Sequence, residues 1–533
     1  MADGGRSVAT DLSVVGQTGE TPQNPLVDYA IKRFEREFAR WNKYVPMWTE
    51  CYEFCMPQRD NFYQVGMMEG DKRGAELFDM TAITSVSEFA SRMQSGIMPP
   101  FVRWADFRTG SQVPPSQRNW LQNKLDEICD FVFEVLRYSN LDAEIHECFL
   151  DLAVGHSTLL VEEGDTIDRP LRFLAVPMTS NIWGMGPTGE VDANFRIELL
   201  KADQLQQRFP RVANDPNVRT AILEGDPERN FEVIHATWKV WAARDAETHM
   251  YLAFLKDSKT VLAMHQYQGD GSCPYINFRW TKAAGELYGR GPLMQAIPAV
   301  KTVNAIQYDM LQAGELATAG MWQVDDDGVV NVNAIKIEPR VVIPIAPNSR
   351  GLQPLQPASN IRWGDYMLEQ LRMDIKRALY DEMLGPPEGT PMSATEVRER
   401  QADMARRIGS PFVRLQSELV QPLLKRVIFI LQRQGFFEVP KVNGREVKIV
   451  SVSPLAKAQE QESVRNIYAW LELLAQHYGP EIAAVASMPE EVAAFSAERM
   501  GIPMRVVRQA QQAAQILAQQ RAAMAGMLPA PGA

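Results

Sequence analysis

Between residues 170 and 280 the hydrophobic period changes from that of helices to that of strands, and this switch constrains the fold most. "LRFLAVPMTSNIWGMGPTGEVDANFRIEL" gives strand, turn, strand. "FEVIHATWKVWAA", "MYLAFLK", "TVLAMHQY" and "YINFRW" come next, with partial alternation and polar breaks. Such a block belongs to an α+β body with an antiparallel sheet rather than to a βαβ series.

The flanks are helical, so the class is α+β, mostly helical. Val27, Ile31, Phe34, Phe38, Trp41, Val45, Trp48, Tyr52 and Cys55 recur at spacings of three and four, one apolar stripe that Pro46 should kink or split. Periodicity carries no chemistry, so the stripe is read as core. Residues 76–98 predict a second helix, stopped by "PPFVRWADFR". "SQRNWLQNKLDEICDFVFEVLRYSN" predicts a third and "LDAEIHECFLDLAVGHSTLLVEEG" a fourth, ending in the run Thr158 to Val161.

Beyond the strands, "GELYGRGPLMQAIPAVKTVNAIQYDMLQAGELATAG" returns to helix, with Pro292 suited to a first turn and Pro298 expected to kink the helix after it. Residues 321–357 form a β-rich insertion with a turn at Asp327-Gly328 and a strand at Val341–Ile345. In the next helix Leu368, Leu371, Ile375 and Leu379 share a face. Three prolines and two glycines then crowd Gly385 to Pro391, and a helix restarts at Ser393, where Ser393 and Glu396 make a capping box. It runs to about Gln434, with a bend expected at Gly409 and Pro411. Residues 455–500 are helical again. Residues 1–25 and 501–533 are compositionally biased and expected to be disordered or frayed.

Bulk composition narrows the function. Lys and Arg total 55 against 66 Asp and Glu, a net charge of −11. A chain built to grip nucleic acid carries a basic surplus, and this one does not. No apolar run is long enough to span a membrane, no secretory signal is visible, and five cysteines fit a reduced, cytosolic place of synthesis.

Enzyme motifs fail in turn. Gly184-Met185-Gly186-Pro187-Thr188-Gly189 is a literal GxGxxG, but the residues after it read as a strand rather than a helix, so it predicts a hairpin turn. His146-Glu147 begins an HExxH whose last position is Leu150. Cys51 and Cys55 have no matching ligand pair nearby in sequence and are expected to be core thiols. The run Asp325, Asp326, Asp327, Gly328 lacks calcium-loop spacing. There is no Gly-Lys dipeptide for a phosphate loop and no GxSxG elbow. No catalytic residue, cofactor site or metal site is nominated. An enzyme whose site is assembled from scattered residues stays as the alternative.

The order of elements, together with "ELFDMTAITSVSEFASRMQSGIMPPFVRWADF", "LDLAVGHSTLLVEEG", "GELYGRGPLMQAIPAVKTVNAIQ" and "MSATEVRERQADMARRIGSPFVRLQSELVQPLLKRVIFIL", resembles the portal, or head-to-tail connector, family of tailed bacteriophages, the short-tailed type most closely. The resemblance implies a ring, typically of twelve subunits, at one capsid vertex of the virion, made in the bacterial cytoplasm. It implies a channel for double-stranded DNA during packaging and ejection, and partners in the major capsid protein, the terminase motor and tail adaptor or nozzle proteins, with no chemistry of its own. It divides the chain into a wing (26–285 and 393–440), stem helices (286–318 and 360–383), a clip (319–359), a tunnel loop (384–392) and a crown (441–500). The tunnel loop would place Gly385, Pro386, Pro387, Glu388, Gly389, Thr390, Pro391 and Met392 at the channel constriction. The clip, with Asp325, Asp326, Asp327 and Arg340, would dock motor and tail.

On that plan the acidic charge acquires a use, since a wall that repels phosphate lets DNA slide. Two readings stay open for the basic residues Arg372, Lys376 and Arg377 on the second stem helix and Arg398, Arg400, Arg406 and Arg407 after the loop. They guide DNA in the lumen, or they pair with carboxylates such as Glu382, Glu396, Glu399 and Asp403 within or between subunits.

Overall fold

The apolar stripe at the N-terminus forms two helices, α1 (Pro25–Trp41) and α2 (Val45–Cys55), divided where Pro46 enters the first turn of α2. Val27, Phe34, Trp41, Trp48, Tyr52 and Cys55 are buried, with Ile31, Phe38 and Val45 packed against the same core. The rings form a continuous row, Phe34 to Phe38 to Trp41 at 5.6 Å per step and Trp41 to Trp48 at 6.2 Å. The computed structural model describes residues 25–59, 77–100, 103–108, 115–210, 212, 215–241, 247–319, 321–323, 353–355, 361–381 and 408–438, with shorter pieces between 440 and 496.

Helix α3 (Thr81–Ile97), the short strand β1 (Phe107–Arg108), α4 (Pro115–Arg137) and α5 (Leu141–Val154) lead into the strand block. The block forms two antiparallel sheets rather than one. β2 (His156–Thr166), β3 (Arg169–Val176) and a later strand make a three-stranded sheet. The five-stranded sheet runs in chain order through β4 (Asn181–Met185), β5 (Val191–Lys201), β6 (Asn230–Lys239), β7 (Thr248–Leu255) and β8 (Val261–Gln268). The last strand, β9 (Tyr275–Arg279), returns to β2 with His156 opposite Arg279, so the first and last strands of the block close on each other. The glycine-rich motif is a hairpin: β4 and β5 flank it, Gly186 N donates to Glu190 O at 2.9 Å, and Gly189 sits at φ +78°.

One face of the five-stranded sheet, with Phe195, Ile234, Ala236, Leu252 and Phe254, joins the main core. Its other face is covered at one end by α6 (Ala202–Arg208) and α7 (Pro216–Leu223), two short helices that enclose a smaller core around Leu205, Val218, Val233 and Leu255. Asp215 caps α7, accepting from the backbone of Asn217 and Val218.

The strand block and the helices after it meet at a crossing of three glycines. A Cβ on Gly155, at the α5–β2 junction, would stand 2.4 Å from Gly289 O; one on Gly289 would stand 2.2 Å from Gly155 O; one on Gly291 would stand 2.1 Å from Ala153 O. Only glycine lets these backbones approach so closely. Gly291 N donates to Val154 O and Trp280 N to Gly155 O, each at 2.9 Å. Two of the stretches that carry the family resemblance are therefore packed on each other here.

From this crossing springs α8 (Pro292–Ala319), with Pro292 at its start as the sequence predicts. The helix runs through Pro298 without interruption, anchored by Leu293, Ala296 and Val300 in the core. Strands β10 (Met321–Gln323) and β11 (Gln353–Leu355) pair antiparallel and close the base of the insertion. Residues 324–352, with the Val341–Ile345 strand expectation, lie outside the described residues. Helix α9 (Ile361–Ala378) returns.

The long helix expected from Ser393 is described from Ile408. Gly409, at φ +45°, sets off α10 (Ser410–Leu415), and a π-helical turn (Gln416–Val420) leads into α11 (Gln421–Arg433). The π turn presents Glu418 to Arg279 of β9. Arg279 donates from its backbone N and Nε to Oε2 at 3.1 Å and from Nη2 to Oε1 at 2.6 Å, while Nη1 donates to Leu287 O at 3.0 Å. Both side chains are largely buried, and this paired, fully used fork pins the C-terminal helices to the sheet. Val450–Ser451 pairs with β1, and α12 (Pro454–Tyr478) comes after it, with Tyr468, Trp470, Leu473 and Tyr478 exposed.

Candidate functional site

The expected stem is an antiparallel pair. α8 spans 28 residues, about 42 Å at 1.5 Å per residue. Gly364, early in α9, lies against the Met310 side chain, Arg372 reaches Gln307, and Ile375 lines the same crevice as Val300 and Val303. Contacts that descend along α8 as they ascend along α9 fix the direction. The face predicted from sequence turns inward: Leu368, Ile375 and Leu379 are buried, and Leu371 packs against the core.

Several large apolar side chains of the pair are exposed in a single chain. Tyr308 and Leu311 on α8 and Tyr366 and Met373 on α9 are all more than 40% exposed. Around them α9 carries both signs of charge, with Asp365, Glu369, Asp374, Lys376 and Arg377 exposed. Exposed aromatic and long apolar side chains on both helices suit an interaction surface.

The basic candidates separate by environment. Arg372 donates from Nε and Nη2 to Asp79 Oδ2 at 2.9 and 2.6 Å, just ahead of α3. Burial raises the Asp79 pKa, but hydrogen bonds from the Thr81 side chain and backbone and from Arg372 outweigh it, so the carboxyl ends below its ordinary range. Arg372 therefore ties α9 to the segment just ahead of α3. Arg377 faces Asp374 at 3.8 Å with both groups exposed. Lys376 is exposed and makes no ion pair among the described residues. Arg398, Arg400, Arg406, Arg407, the tunnel-loop residues Gly385 to Met392, and the clip residues Asp325, Asp326, Asp327 and Arg340 lie outside the described residues.

The end of α9, where the expected tunnel loop begins, is built in detail. Tyr380 adopts φ +59°, the left-handed region. A side-chain-bearing residue there costs about 1–3 kcal/mol. Tyr380 N donates to Arg377 O at 3.1 Å and Asp381 N to Lys376 O at 2.7 Å, the paired closure that ends helices. Arg92 of α3 donates from Nη1 to the carbonyls of Tyr380 and Asp381 at 2.8 and 2.5 Å, and its Nη2 meets Asp381 Oδ1 at 2.9 Å. Ser85 donates to Asp381 Oδ2 at 2.9 Å, and the Trp280 ring stands edge-on to Tyr380 at 5.7 Å. Sequence reasoning missed Arg92 and Ser85: their partner lies nearly three hundred residues away, and no local pattern reports such a contact.

Groups that could carry chemistry are placed for packing. Burial pushes the thiols of Cys51 and Cys129 up to about 12 and that of Cys273 to about 11, the wrong direction for nucleophiles or metal ligands. His146 Nδ1 is 3.0 Å from Gln94 Oε1. His156 is enclosed by Trp48, Trp183 and Tyr288, and burial lowers its pKa to about 3. Buried His235 bridges the half-buried Glu198 and Tyr251, with Nε2 2.8 Å from Glu198 and Nδ1 2.7 Å from Tyr251 Oη. Arg196 and Arg208 hold the same carboxylate at 2.7 and 3.0 Å. Among the described residues no group of three or more His, Cys, Asp or Glu is arranged to hold a metal ion, and no helix is long and apolar enough to cross a membrane.

Known proteins resemble the chain over most of its length. The family model described as bacteriophage head to tail connecting protein matches residues 27–507. The probable portal protein of Bordetella phage BPP-1 is 22% identical over 490 residues, 88% of this chain and 84% of that protein. The portal protein of Salmonella phage epsilon15 is 22% identical over 488 residues, 86% of this chain and 85% of that protein. Among solved structures, a chain of the virion of a native gene transfer agent particle aligns with a TM-score of 0.35 at 12% identity, covering 75% of this chain and 86% of that one. A chain from the neck of an empty particle of that kind aligns with a TM-score of 0.34 at 12% identity, covering 74% and 86%.

Proposed function

The chain belongs to the bacteriophage head to tail connecting protein family and functions as a phage portal, and from that premise we propose how its parts divide the work. Twelve copies assemble as a ring at one capsid vertex. Helices α8 and α9 line the channel wall as its stem. The insertion between them forms the clip that docks the terminase motor during packaging and the tail proteins afterwards. The segment Gly385 to Met392 projects toward the axis as the tunnel loop, around double-stranded DNA that passes without sequence recognition.

The observation that carries this reading is the stem pair itself. Its inner face is sealed by Leu368, Ile375 and Leu379, while Tyr308, Leu311, Tyr366 and Met373 stay uncovered until another subunit meets them. The net charge of −11 per chain suits a wall along which DNA slides, because attraction to phosphate would retard it. Lys376 and Arg377 are the described basic groups best placed to touch DNA or a neighbouring subunit.

Deleting Gly389–Met392 tests the assignment of the loop. The ring should still form, and packaging or retention of DNA should fail. Loss of the ring would make the segment structural and remove its proposed role.

A further inference from the structure

We infer that Arg92 is a positioning residue, one that ends the second stem helix by holding Tyr380 in the left-handed conformation and so sets where the chain leaves the stem; its consequence for DNA passage rests on the portal reading.

The local sequence gives α9 no reason to stop where it does. "DIKRALYDEML" continues past Ala378 with the helix formers Leu379, Glu382, Met383 and Leu384, and no glycine or proline occurs before Gly385 and Pro386. Yet α9 ends at Ala378, and Tyr380 takes a conformation that glycine or asparagine would ordinarily supply. What overrides propensity comes from α3. A helix running on through Tyr380 would use its carbonyl and that of Asp381 for amides four residues later. Instead both carbonyls accept from Arg92 Nη1, while Nη2 and Ser85 Oγ hold the two oxygens of the Asp381 carboxylate. Arg92 and Asp381 are mostly buried, so their hydrogen bonds are charge-assisted and little weakened by solvent.

Two arrangements of the same residues thus compete: a helix ended at Ala378 and clamped by Arg92, and a frayed end in which the clamp is undone, Tyr380 leaves the left-handed region and the Asp381 amide loses Lys376 O. On the portal reading, fraying releases the point from which the Pro/Gly segment leaves the second stem helix.

The amide of Asp381 reports which arrangement is present, because it bonds to Lys376 O only while Tyr380 is left-handed. We would measure hydrogen exchange resolved at Asp381 in the full-length protein, together with ring formation. Arg92→Ala should lower protection at Asp381 at least tenfold while amides of the β2–β9 pairing keep theirs. Tyr380→Gly, which removes the penalty for the left-handed region, should restore protection in the Arg92→Ala/Tyr380→Gly double variant to within about threefold of Tyr380→Gly alone. Should Arg92→Ala unfold the chain, Arg92→Lys supports the same comparison on a smaller scale. DNA retention should fall in the single variant and recover in the double. Unchanged protection at Asp381 in the Arg92 variant overturns the inference. So does equal loss in single and double variants, which would reduce Arg92 to packing. Failure to form rings in wild-type protein would count against the portal reading instead and leave the exchange result standing.

Discussion

Replacing Gly289 by alanine should be among the most damaging conservative changes in the molecule. The new Cβ would lie 2.2 Å from Gly155 O and 2.9 Å from the Arg279 Cβ. A carbon–oxygen contact normally settles at about 3.3–3.6 Å, so the two backbones must part by roughly 1 Å. The hydrogen bonds from Gly291 N to Val154 O and from Trp280 N to Gly155 O, each 2.9 Å, bridge this crossing and would stretch beyond bonding range. Overpacking of about 1–3 kcal/mol and an unsatisfied buried backbone pair of about 1–3 kcal/mol together suggest about 2–6 kcal/mol. At roughly 2.1 cal/mol/K per residue of unfolding entropy, a chain this long loses about 1 °C per kcal/mol, so the melting temperature should fall by about 2–6 °C in calorimetry. Gly314→Ala is the control. That glycine is inside α8 with nothing within 4 Å of a Cβ, and alanine there should stabilise by about 0.5–1 kcal/mol. A Gly289→Ala protein that melts within 1 °C of wild type would refute the claim that this crossing fixes how α8 leaves the sheet.

Three other sites give measurable outcomes. Glu418→Gln should destabilise by about 3 kcal/mol, because it leaves Arg279 largely buried without its counter-charge; urea unfolding compared with an exposed control such as Glu88→Gln checks this. His156, held neutral with a pKa near 3 by burial, contributes stability that is complete above its ordinary value of 6.5 and is lost as pH falls toward 3. Wild type should therefore lose stability relative to His156→Phe over that window, by up to about 1.4 kcal/mol per pH unit, and parallel pH profiles would contradict the burial of a neutral imidazole. Glu198 behaves alike from the carboxylate side. Burial opposes its charge, but His235 and the arginines hold its pKa at about 2, so its stabilisation is full above about 4.5 and lost as pH drops toward 2. Glu198→Gln should flatten the acid limb there.

What sequence made legible is what periodicity and punctuation encode. The stripe from Val27 to Cys55, its division at Pro46, the strand block, the hairpin hidden in a dinucleotide-like motif, and the inward face of α9 are all local patterns, and each occurs where expected. The division of the strands into two sheets was not legible, because pairing β2 with β9 is a contact across more than a hundred residues. Helices α6 and α7 were missed because each is under nine residues, too short for a helical period to emerge. The π turn that aims Glu418 at Arg279 and the left-handed Tyr380 break local preference and are sustained by distant partners, so no local pattern could have announced them. The Arg92 clamp at the end of α9 likewise emerged only from the folded chain.

The central claim is that this chain is a subunit of a channel-forming ring, and rotationally averaged electron micrographs of the purified protein test it most directly. The account predicts monodisperse rings, twelve-fold in projection, with an open centre. A stable monomer or dimer at every salt and protein concentration would contradict it.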